Sequence, residues 1–299
     1  MQSRSEFIKE SPKTLTALIT PFKNDKIDFD SLKSLLDFQI KNGIDGFIIS
    51  GTTGESPTLE ENEVEELFLF CKKILSKDFP LWLGTGTNNT KKTIDLTKKA
   101  KELGAQAALV CVPYYNKPTQ RGLFEHYKSL TNLGIPVVLY NVPGRTVVSL
   151  EAATIKALAK ENNIYGLKEA SGNGAFYKPI LTETMGELLH LSGDDLTYID
   201  FLKSGGDGVI SVATHVLPKL FVNWRNQVHS GDVHLAEQDL NKYKKLIELL
   251  FVVANPIPVK KALQLMGIID SAALRLPLTE LEEKHTDLIK SELKKLELI

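Results

Sequence analysis

The alternation of short apolar segments with longer amphipathic ones, from about residue 15 to residue 230, limits the possible folds most strongly. The short segments are often β-branched and mostly end in Gly, Pro, Ser or Thr. Strands that are apolar on both faces are typical of a parallel sheet covered by helices. We predict strands over Leu15–Phe22, Ile44–Ser50, Leu81–Thr85, Ala107–Val112, Val137–Tyr140, Ile164–Lys168, Leu188–Ser192 and Val209–Val212.

Helical periodicity separates these strands. The predicted helices include Ser31–Asn42, Glu60–Lys77, Thr90–Gly104 and Leu150–Lys160. Thr58 with Glu61 has the spacing of a capping box, and Ser149 is a candidate N-cap. Gly43 and Gly104 fit the carboxyl ends of helices.

Eight units in which a helix follows a strand predict a (β/α)8 barrel, an α/β fold. The alternative is a doubly wound open sheet, which favours a G-x-G-x-x-G turn after the first strand. Here the first strand ends in Thr20-Pro21-Phe22 instead. We therefore predict a catalytic barrel over residues 1–230.

The pattern changes after residue 230. Three helices with no strand between them are predicted over Val233–Ala254, Pro258–Met266 and Thr279–Leu298, and Thr279 with Glu282 has the spacing of another capping box. We interpret residues 231–299 as a three-helix carboxyl-terminal extension, packed on the barrel or on a neighbouring subunit.

Composition excludes several classes of function. The 299-residue chain has a formal net charge of −1, which gives no electrostatic reason to bind nucleic acid or an anionic membrane. No apolar run approaches the roughly 18 residues of a membrane span, and Met1–Lys13 has no hydrophobic signal core. Cys71 and Cys111 lie in apolar surroundings and are expected to be buried free thiols. We expect a cytoplasmic protein.

Lys168 is the residue that most directly predicts chemistry. It lies in Ile164-Tyr165-Gly166-Leu167-Lys168-Glu169-Ala170-Ser171-Gly172, a predicted buried strand that ends in a loop. Burying an ammonium group is costly unless the group is paired or used. A desolvated lysine also loses its proton more easily, and the neutral amine attacks carbonyls. The position predicts a Schiff-base enzyme. For the lysine taken alone, the alternative is a strand-end side chain that extends to water.

The other strand ends carry groups that suit this chemistry, and barrel enzymes hold their active sites there. Tyrosine and threonine hydroxyls can relay the protons of imine formation. Backbone N–H groups of the Gly51-Thr52-Thr53-Gly54 turn can bind a carboxylate, and Arg145 can bind a second one. The segments concerned are Gly51-Thr52-Thr53-Gly54-Glu55-Ser56, Gly84-Thr85-Gly86-Thr87-Asn88, Val112-Pro113-Tyr114-Tyr115-Asn116, Tyr140-Asn141-Val142-Pro143-Gly144-Arg145-Thr146, Ser192-Gly193-Asp194-Asp195 and Gly208-Val209-Ile210-Ser211.

Other chemistries have weaker support. The six histidines show no metal-ligand spacing, so no metal is expected. For His215, near the last predicted strand, a surface or helix-capping role is favoured. Gly205-Gly206-Asp207-Gly208 fits either a phosphate loop or a tight turn.

Seven ordered motifs carry a family resemblance. They are GTTGES, PYYNKPTQRGL, LYNVPGRT, GLKEASG, SGDD, GGDGVISV and NPIPVK. Together they resemble the dihydrodipicolinate synthase family, within a superfamily of pyruvate-dependent class I aldolases that includes N-acetylneuraminate lyase. The resemblance spans about Leu15 to Leu276. It implies a (β/α)8 barrel, usually a homotetramer built from tight dimers, that needs no metal or organic cofactor.

The resemblance also implies roles for individual residues. Lys168 would form an imine with pyruvate, and Tyr140 would be the general acid/base, joined to Thr52 and Tyr115 in a proton relay. In the family, the tyrosine matching Tyr115 reaches the site of the adjacent subunit. Backbone groups of Thr53 and Ile210 would hold the pyruvate carboxylate. Arg145 would bind the carboxylate of L-aspartate 4-semialdehyde, whose condensation with pyruvate belongs to the diaminopimelate route to lysine.

Arg145 also separates the alternatives. Aldolases and lyases that act on 2-keto-3-deoxy sugar acids or N-acetylneuraminate generally lack an arginine in the segment matching Pro143-Gly144-Arg145-Thr146, so they are the second hypothesis. A non-catalytic barrel that binds a small anion is the third, and the complete relay argues against it.

Two departures from the family pattern are informative. Val147 stands where the synthases typically have glycine. Many synthases bind lysine near positions matching Ser56, Pro57, Asn88 and Tyr114, and the sensitive ones commonly have histidine at Glu61 and an acidic residue at Lys92. A cation at Lys92 would repel the ammonium groups of lysine, so weak or absent inhibition is predicted.

Overall fold

Eight parallel strands close into a barrel in the computed structural model of the chain, which describes residues 2–299. The barrel strands are β1 (Thr14–Ala17), β4 (Gly46–Ile49), β5 (Leu81–Gly84), β6 (Ala107–Cys111), β7 (Val137–Asn141), β8 (Ile164–Glu169), β9 (Leu189–Ser192) and β10 (Gly208–Ser211). Their order around the barrel is β1-β10-β9-β8-β7-β6-β5-β4. The predicted (β/α)8 fold is confirmed, and the doubly wound alternative is excluded.

The helices follow the strands as predicted. They are α1 (Arg4–Glu10), α2 (Phe29–Lys41), α3 (Glu61–Ile74), α4 (Thr90–Leu103), α5 (Gln120–Lys128), α6 (Pro143–Thr146), α7 (Ala152–Ala159), α8 (Gly174–Glu183), α9 (Tyr198–Lys203), α10 (Pro218–Ser230), α11 (Val233–Leu249), α12 (Ile257–Leu265) and α13 (Glu283–Lys295). The last three form the predicted carboxyl-terminal helices, and within residues 2–299 no strand follows Ser211. The boundary between residues 230 and 231 remains a prediction.

The first predicted strand is shorter in the structure. β1 ends at Ala17, and Pro21 then leads into an antiparallel hairpin of β2 (Phe22–Lys23) and β3 (Lys26–Ile27). The two residues between these strands, Asn24 and Asp25, have φ values of 51° and 62°. Two positive φ values are what a tight hairpin turn needs, and Asn and Asp tolerate them best after glycine.

Three predicted N-cap residues, Thr58, Ser149 and Thr279, are wrong. α3 begins at Glu61, so Glu60 and not Thr58 is its N-cap. The Glu60 N–H donates to Glu63 Oε2 at 3.0 Å. Glu151 and not Ser149 precedes α7, and Glu282 precedes α13. In each case the cap lies two or three residues later than the Ser or Thr that fits the pattern. Gly43 and Gly104 do follow helices, with φ of 87° and 88°.

The chain folds as two compact units, each built from two segments. One comprises residues 2–13 with Pro80–Ile210, and the other comprises Thr14–Phe79 with Ser211–Ile299. In the first unit, Phe7 of α1 packs against Trp82 and Tyr165, with ring centroids 5.8 Å apart in both pairs.

His215 belongs to the interior of the second unit, so its predicted surface or capping role is wrong. The side chain is fully buried. Its Nδ1 lies 2.8 Å from the Val212 carbonyl and donates to it, which leaves Nε2 to accept the Ile19 N–H at 3.1 Å. Burial lowers the pKa of His215 to about 4. The histidine is a neutral structural bridge.

The Gly205-Gly206-Asp207-Gly208 segment is a tight turn. It precedes β10, whereas a phosphate loop of a barrel follows a strand. A Cβ on Gly208 would lie 1.9 Å from the Lys13 carbonyl oxygen, and Asp207 Oδ2 accepts the His190 N–H at 2.8 Å. The absence of a side chain at Gly208 lets the strand approach the backbone of residue 13.

Gly208→Ala should therefore destabilise the protein by about 3 kcal/mol, because a backbone atom must move to admit the methyl group. Gly122→Ala is the matched control. Its Cβ would lie 3.4 Å from the nearest atom, within helix α5, so this change should be neutral or stabilise by up to about 1 kcal/mol. Chemical denaturation measures both, and equal effects would contradict the steric argument.

Candidate active site

Lys168 lies at the penultimate position of β8 with only 6% of its surface exposed. Its neighbour in the sheet is Tyr140 of β7, and the two are register partners. Lys168 Nζ lies 4.2 Å from the centroid of the Tyr140 ring. The structure thus brings the predicted nucleophile and the predicted acid/base into direct contact.

Room for the lysine side chain comes from Gly193, which follows β9. A Cβ on Gly193 would lie 2.8 Å from Lys168 Cε and 2.6 Å from Ala170 Cβ. Any other residue at this position would displace the amine. The lysine side chain beside Gly193 therefore explains the glycine of the SGDD motif.

The amine of Lys168 is poised for deprotonation. Burial lowers its pKa to about 7, the buried Asp195 carboxylate opposes this shift, and the Arg145 cation adds to it. About half of the Lys168 amines are then neutral at pH 7, against roughly one in three thousand for an ordinary lysine. A neutral amine is the form that attacks a carbonyl.

Arg145 is presented by a single turn of helix. α6 begins at Pro143, which suits the first helical position, and the Arg145 side chain is exposed. Val147 caps this turn with φ of 67°, and its N–H donates to the Pro143 carbonyl at 3.0 Å. A β-branched residue in this left-handed conformation costs about 1–3 kcal/mol. Val147 therefore adopts the backbone for which glycine is best suited.

Tyr115 is largely exposed in the single chain. It follows β6, has φ of 74°, and is 87% exposed. The loop that carries it is tied to the loop after β5, because Asn116 Nδ2 donates to the Asn88 carbonyl at 2.8 Å. Ile210, another predicted site residue, is buried near the end of β10.

The Gly51–Ser56 turn belongs to the second unit and is held by the carboxyl-terminal helical segment. In this turn, which follows β4, Thr52 is half-buried and Thr53 is buried. Thr53 Oγ1 accepts a hydrogen bond from Asn255 Nδ2 at 2.9 Å. The Gly54 carbonyl accepts one from Thr20 Oγ1 at 2.8 Å. The turn is therefore held at Thr53 and at Gly54.

A buried ion pair completes this support. Glu55 and Lys260 are both fully buried and hydrogen-bonded to each other. Lys260 Nζ also donates to the Ala273 carbonyl at 2.9 Å, and Glu55 Oε2 accepts the Arg275 N–H at 3.1 Å. Burial lowers the pKa of Lys260 to about 8, with Glu55 opposing the shift. Removing one partner of such a pair typically costs about 3–5 kcal/mol.

The thiols and potential metal ligands play no part in this geometry. Cys71 is buried and Cys111 is half-buried, both as free thiols, and burial raises their pKa values to about 12 and about 11. Within residues 2–299, His, Cys, Asp and Glu side chains form no group of three that could hold a metal ion. Among the helices of the same residues, none has the length and apolar character needed to cross a bilayer.

Comparison with known proteins agrees with the geometry. The sequence model described as the dihydrodipicolinate synthetase family matches residues 10–296. The chain belongs to this family. A family member from Bdellovibrio bacteriovorus, named 4-hydroxy-tetrahydrodipicolinate synthase, is 54% identical over 283 residues, covering 94% of this chain and 97% of that protein.

Solved structures of dihydrodipicolinate synthases share the fold closely. The enzyme from Thermotoga maritima is 41% identical and superposes with a TM-score of 0.94, over 96% of this chain and 99% of its own. The enzyme from Acinetobacter baumannii, described as chloride inhibited and solved in complex with pyruvate, is 39% identical with a TM-score of 0.93, over the same shares of the two chains.

Sequence patterns do not predict four residues that support candidate site residues. Asp195 and Gly193 lie beside Lys168, and Asn255 and Glu55 hold the turn that contains Thr53. All four lie inside motifs that carry the family resemblance. Their place in those motifs was the available signal. Their partners are distant in sequence, as Glu55 and Lys260 show, so only the fold identifies what each one contacts.

The reactivity of Lys168 should titrate with a midpoint near pH 7, the value to which burial lowers its pKa. Cyanate modifies neutral amines, so the pH dependence of carbamylation at each lysine, followed by peptide mass spectrometry, measures the midpoint. The exposed Lys33 in the same sample is the internal control for the extent of cyanate reaction.

Two variants test the causes of this shift. Arg145→Ala should raise the Lys168 midpoint, because it removes a cation that favours the neutral amine. Asp195→Asn should lower it, because it removes the opposing carboxylate. A wild-type midpoint near the ordinary lysine value of 10.5 would contradict the burial argument.

Proposed function

We propose that this chain is a 4-hydroxy-tetrahydrodipicolinate synthase, a lyase that condenses pyruvate with L-aspartate 4-semialdehyde in the diaminopimelate route to lysine. The observation that carries the proposal is the buried Lys168 amine in contact with Tyr140, with a pKa lowered to about 7. Family membership and the 54% identical synthase support it.

The proposed chemistry starts with addition of the neutral Lys168 amine to the ketone carbon of pyruvate. Tyr140 supplies the proton with which water leaves the carbinolamine, and the imine forms. Loss of a methyl proton then gives an enamine. Thr52 and Tyr115 connect Tyr140 to further proton donors and acceptors, so that no additional charge is needed beside the lysine.

The second substrate enters when the enamine carbon attacks the aldehyde. Arg145 holds the carboxylate of L-aspartate 4-semialdehyde, since a guanidinium fork suits that group. The substrate's amino group then adds to the imine carbon, closes the ring and releases Lys168. Backbone groups of Thr53 and Ile210 hold the pyruvate carboxylate throughout. We propose no metal or organic cofactor for these steps.

We also propose a cytoplasmic homo-oligomer, a tetramer built from tight dimers. Support comes from Tyr115, a relay residue that is 87% exposed with a left-handed backbone in the single chain. A partner subunit that receives this phenol would complete the relay in both directions.

Borohydride reduction in the presence of pyruvate tests the first half of the reaction. Lys168 should gain the mass of one pyruvate less one water plus two hydrogens, and Lys260, the other buried lysine with a lowered pKa, should stay unmodified. Lys168→Ala should lose at least about a thousandfold in kcat. An adduct at another lysine, or none, would exclude both aldolase hypotheses.

A steady-state comparison of substrates tests the second half. L-aspartate 4-semialdehyde should be consumed with pyruvate far faster than 2-keto-3-deoxy sugar acids or N-acetylneuraminate are cleaved. Arg145→Ala should raise KM for the semialdehyde at least about tenfold with a smaller effect on KM for pyruvate. Faster cleavage of a sugar acid would favour the second hypothesis instead.

Lysine should inhibit this enzyme weakly or not at all. Lys92 lies exposed in the first turn of α4, and Glu61 lies exposed at the start of α3. The Lys92 ammonium repels a cationic ligand at positions matching the family's lysine site. Assays with added lysine measure this, and an inhibition constant in the low-millimolar range or tighter would contradict it.

A further inference from the structure

A chain of buried hydrogen bonds runs directly beside the Lys168–Tyr140 pair. Asn141 and Glu169 are the next register partners along β7 and β8. Their side chains point away from those of their neighbours, because successive residues of a strand face opposite sides. Both are buried, and Asn141 Nδ2 donates to Glu169 Oε2 at 2.7 Å.

Each end of this bond continues into a loop of the site. Glu169 Oε1 accepts the Ser171 N–H at 2.6 Å, in the loop that follows Lys168. Asn141 Oδ1 accepts the Leu150 N–H at 3.0 Å and the Ser149 hydroxyl at 3.1 Å. Ser149 and Leu150 close the segment that begins with the Arg145 helix.

In each hydrogen bond of this chain, a donor faces an acceptor. Both oxygens of Glu169 face N–H donors, which is the arrangement for an ionised carboxylate. Burial raises the pKa of Glu169, and its bonds to Ser171 and Asn141 oppose that shift. Asn141 links the two ends of the chain. Its Nδ2 donates to the Glu169 carboxylate, and its Oδ1 accepts two hydrogen bonds from Ser149 and Leu150.

The segment that carries Arg145 needs such an anchor. Its helix is one turn long, and it ends in the strained backbone of Val147. After Val147, the Val148 carbonyl accepts the Thr146 hydroxyl of the same segment at 2.7 Å. Ser149 and Leu150 then tie the segment to Asn141, and the Ser149 carbonyl also accepts Gln120 Nε2 at 2.8 Å. Arg145 in turn influences the charge of Lys168. The anchor therefore acts on both groups although it touches neither reacting atom.

We propose that Asn141 and Glu169 form a clamp of two positioning residues, which fixes Arg145 relative to Lys168 and thereby sets the affinity for the second, carboxylate-bearing substrate. This inference rests on the proposed function and deepens it. The clamp lies wholly outside the set Lys168, Tyr140, Thr52, Thr53, Tyr115, Arg145 and Ile210.

An exchange of the two functional groups tests the clamp. In Asn141→Asp, two carboxylates face each other, and in Glu169→Gln, two amide donors compete. In the double variant N141D/E169Q, the new amide at position 169 donates to the new carboxylate at position 141, so their mutual hydrogen bond and the net charge are retained. The acceptors for the N–H groups of Ser171 and Leu150 and for the Ser149 hydroxyl are retained as well.

Each single change should raise KM for L-aspartate 4-semialdehyde about tenfold, with KM for pyruvate changed less than about threefold, because the clamp positions only the second substrate's arginine. The double variant should restore the wild-type value to within about threefold. Steady-state kinetics with each substrate varied in turn measures both constants.

Ser149→Ala is the matched control for loss of a bond in the same segment. It removes one of two donors to Asn141 Oδ1 and leaves the Leu150 N–H in place, so KM for the semialdehyde should change less than about twofold. A merely structural role predicts a different pattern: single variants with lower Tm and both KM values unchanged. That pattern, or a double variant that is no better than the singles, would overturn the clamp.

A readout without substrate separates this inference from the proposed function. Glu169→Gln should raise the midpoint of Lys168 carbamylation, because a displaced Arg145 no longer favours the neutral amine. Loss of an anion alone would lower that midpoint, so the direction distinguishes the two causes. The double variant should return it to the wild-type value. If the wild type does not consume the semialdehyde, the proposed function fails, while this titration still supports or overturns the clamp.

Discussion

Withdrawal of one ammonium group from water is the constraint on which the candidate site depends. A fall in the pKa of Lys168 from 10.5 to about 7 corresponds to roughly 5 kcal/mol of differential stability between its two protonation states. Since the folded pKa lies below the unfolded one, the cost of burying the charged amine destabilises the fold. That cost is fully present below about pH 7 and is absent above pH 10.5. The surrounding strands must supply that energy through packing. Reactivity and stability are thus opposed at this residue.

Two other buried charged sites are satisfied by hydrogen-bonded partners. Glu55 and Lys260 neutralise each other in a fully buried pair, and Glu169 faces hydrogen-bond donors on both oxygens. Lys168 instead meets the face of an aromatic ring and the charges of Asp195 and Arg145. Hydrogen-bonded pairing holds charges in place, whereas the incomplete compensation of Lys168 leaves it able to lose a proton.

The barrel could be predicted from sequence because its signal is local and repeated: buried parallel strands are apolar on both faces, and amphipathic helices follow them. Lys168 could be predicted as a site residue because a charged residue interrupts an apolar strand. Arg145 could be predicted because it is a cation just beyond a strand end. The N-cap residues were less predictable. Glu60, Glu151 and Glu282 occupy the N-cap positions, although a nearby Ser or Thr fits the usual N-cap preference better. The interior position of His215 was not predictable because its hydrogen-bond partner Ile19 lies far away in sequence.

The exposed phenol of Tyr115 has a consequence for how the enzyme behaves on dilution. An 87% exposed side chain keeps most of its rotational freedom, so an isolated subunit holds one member of the proposed relay in many orientations. If a partner subunit orders the ring, as proposed, the fraction of complete sites depends on the subunit concentration through the law of mass action. In the proposed oligomer, turnover per subunit would report self-association, and dilution would lower activity without unfolding the chain.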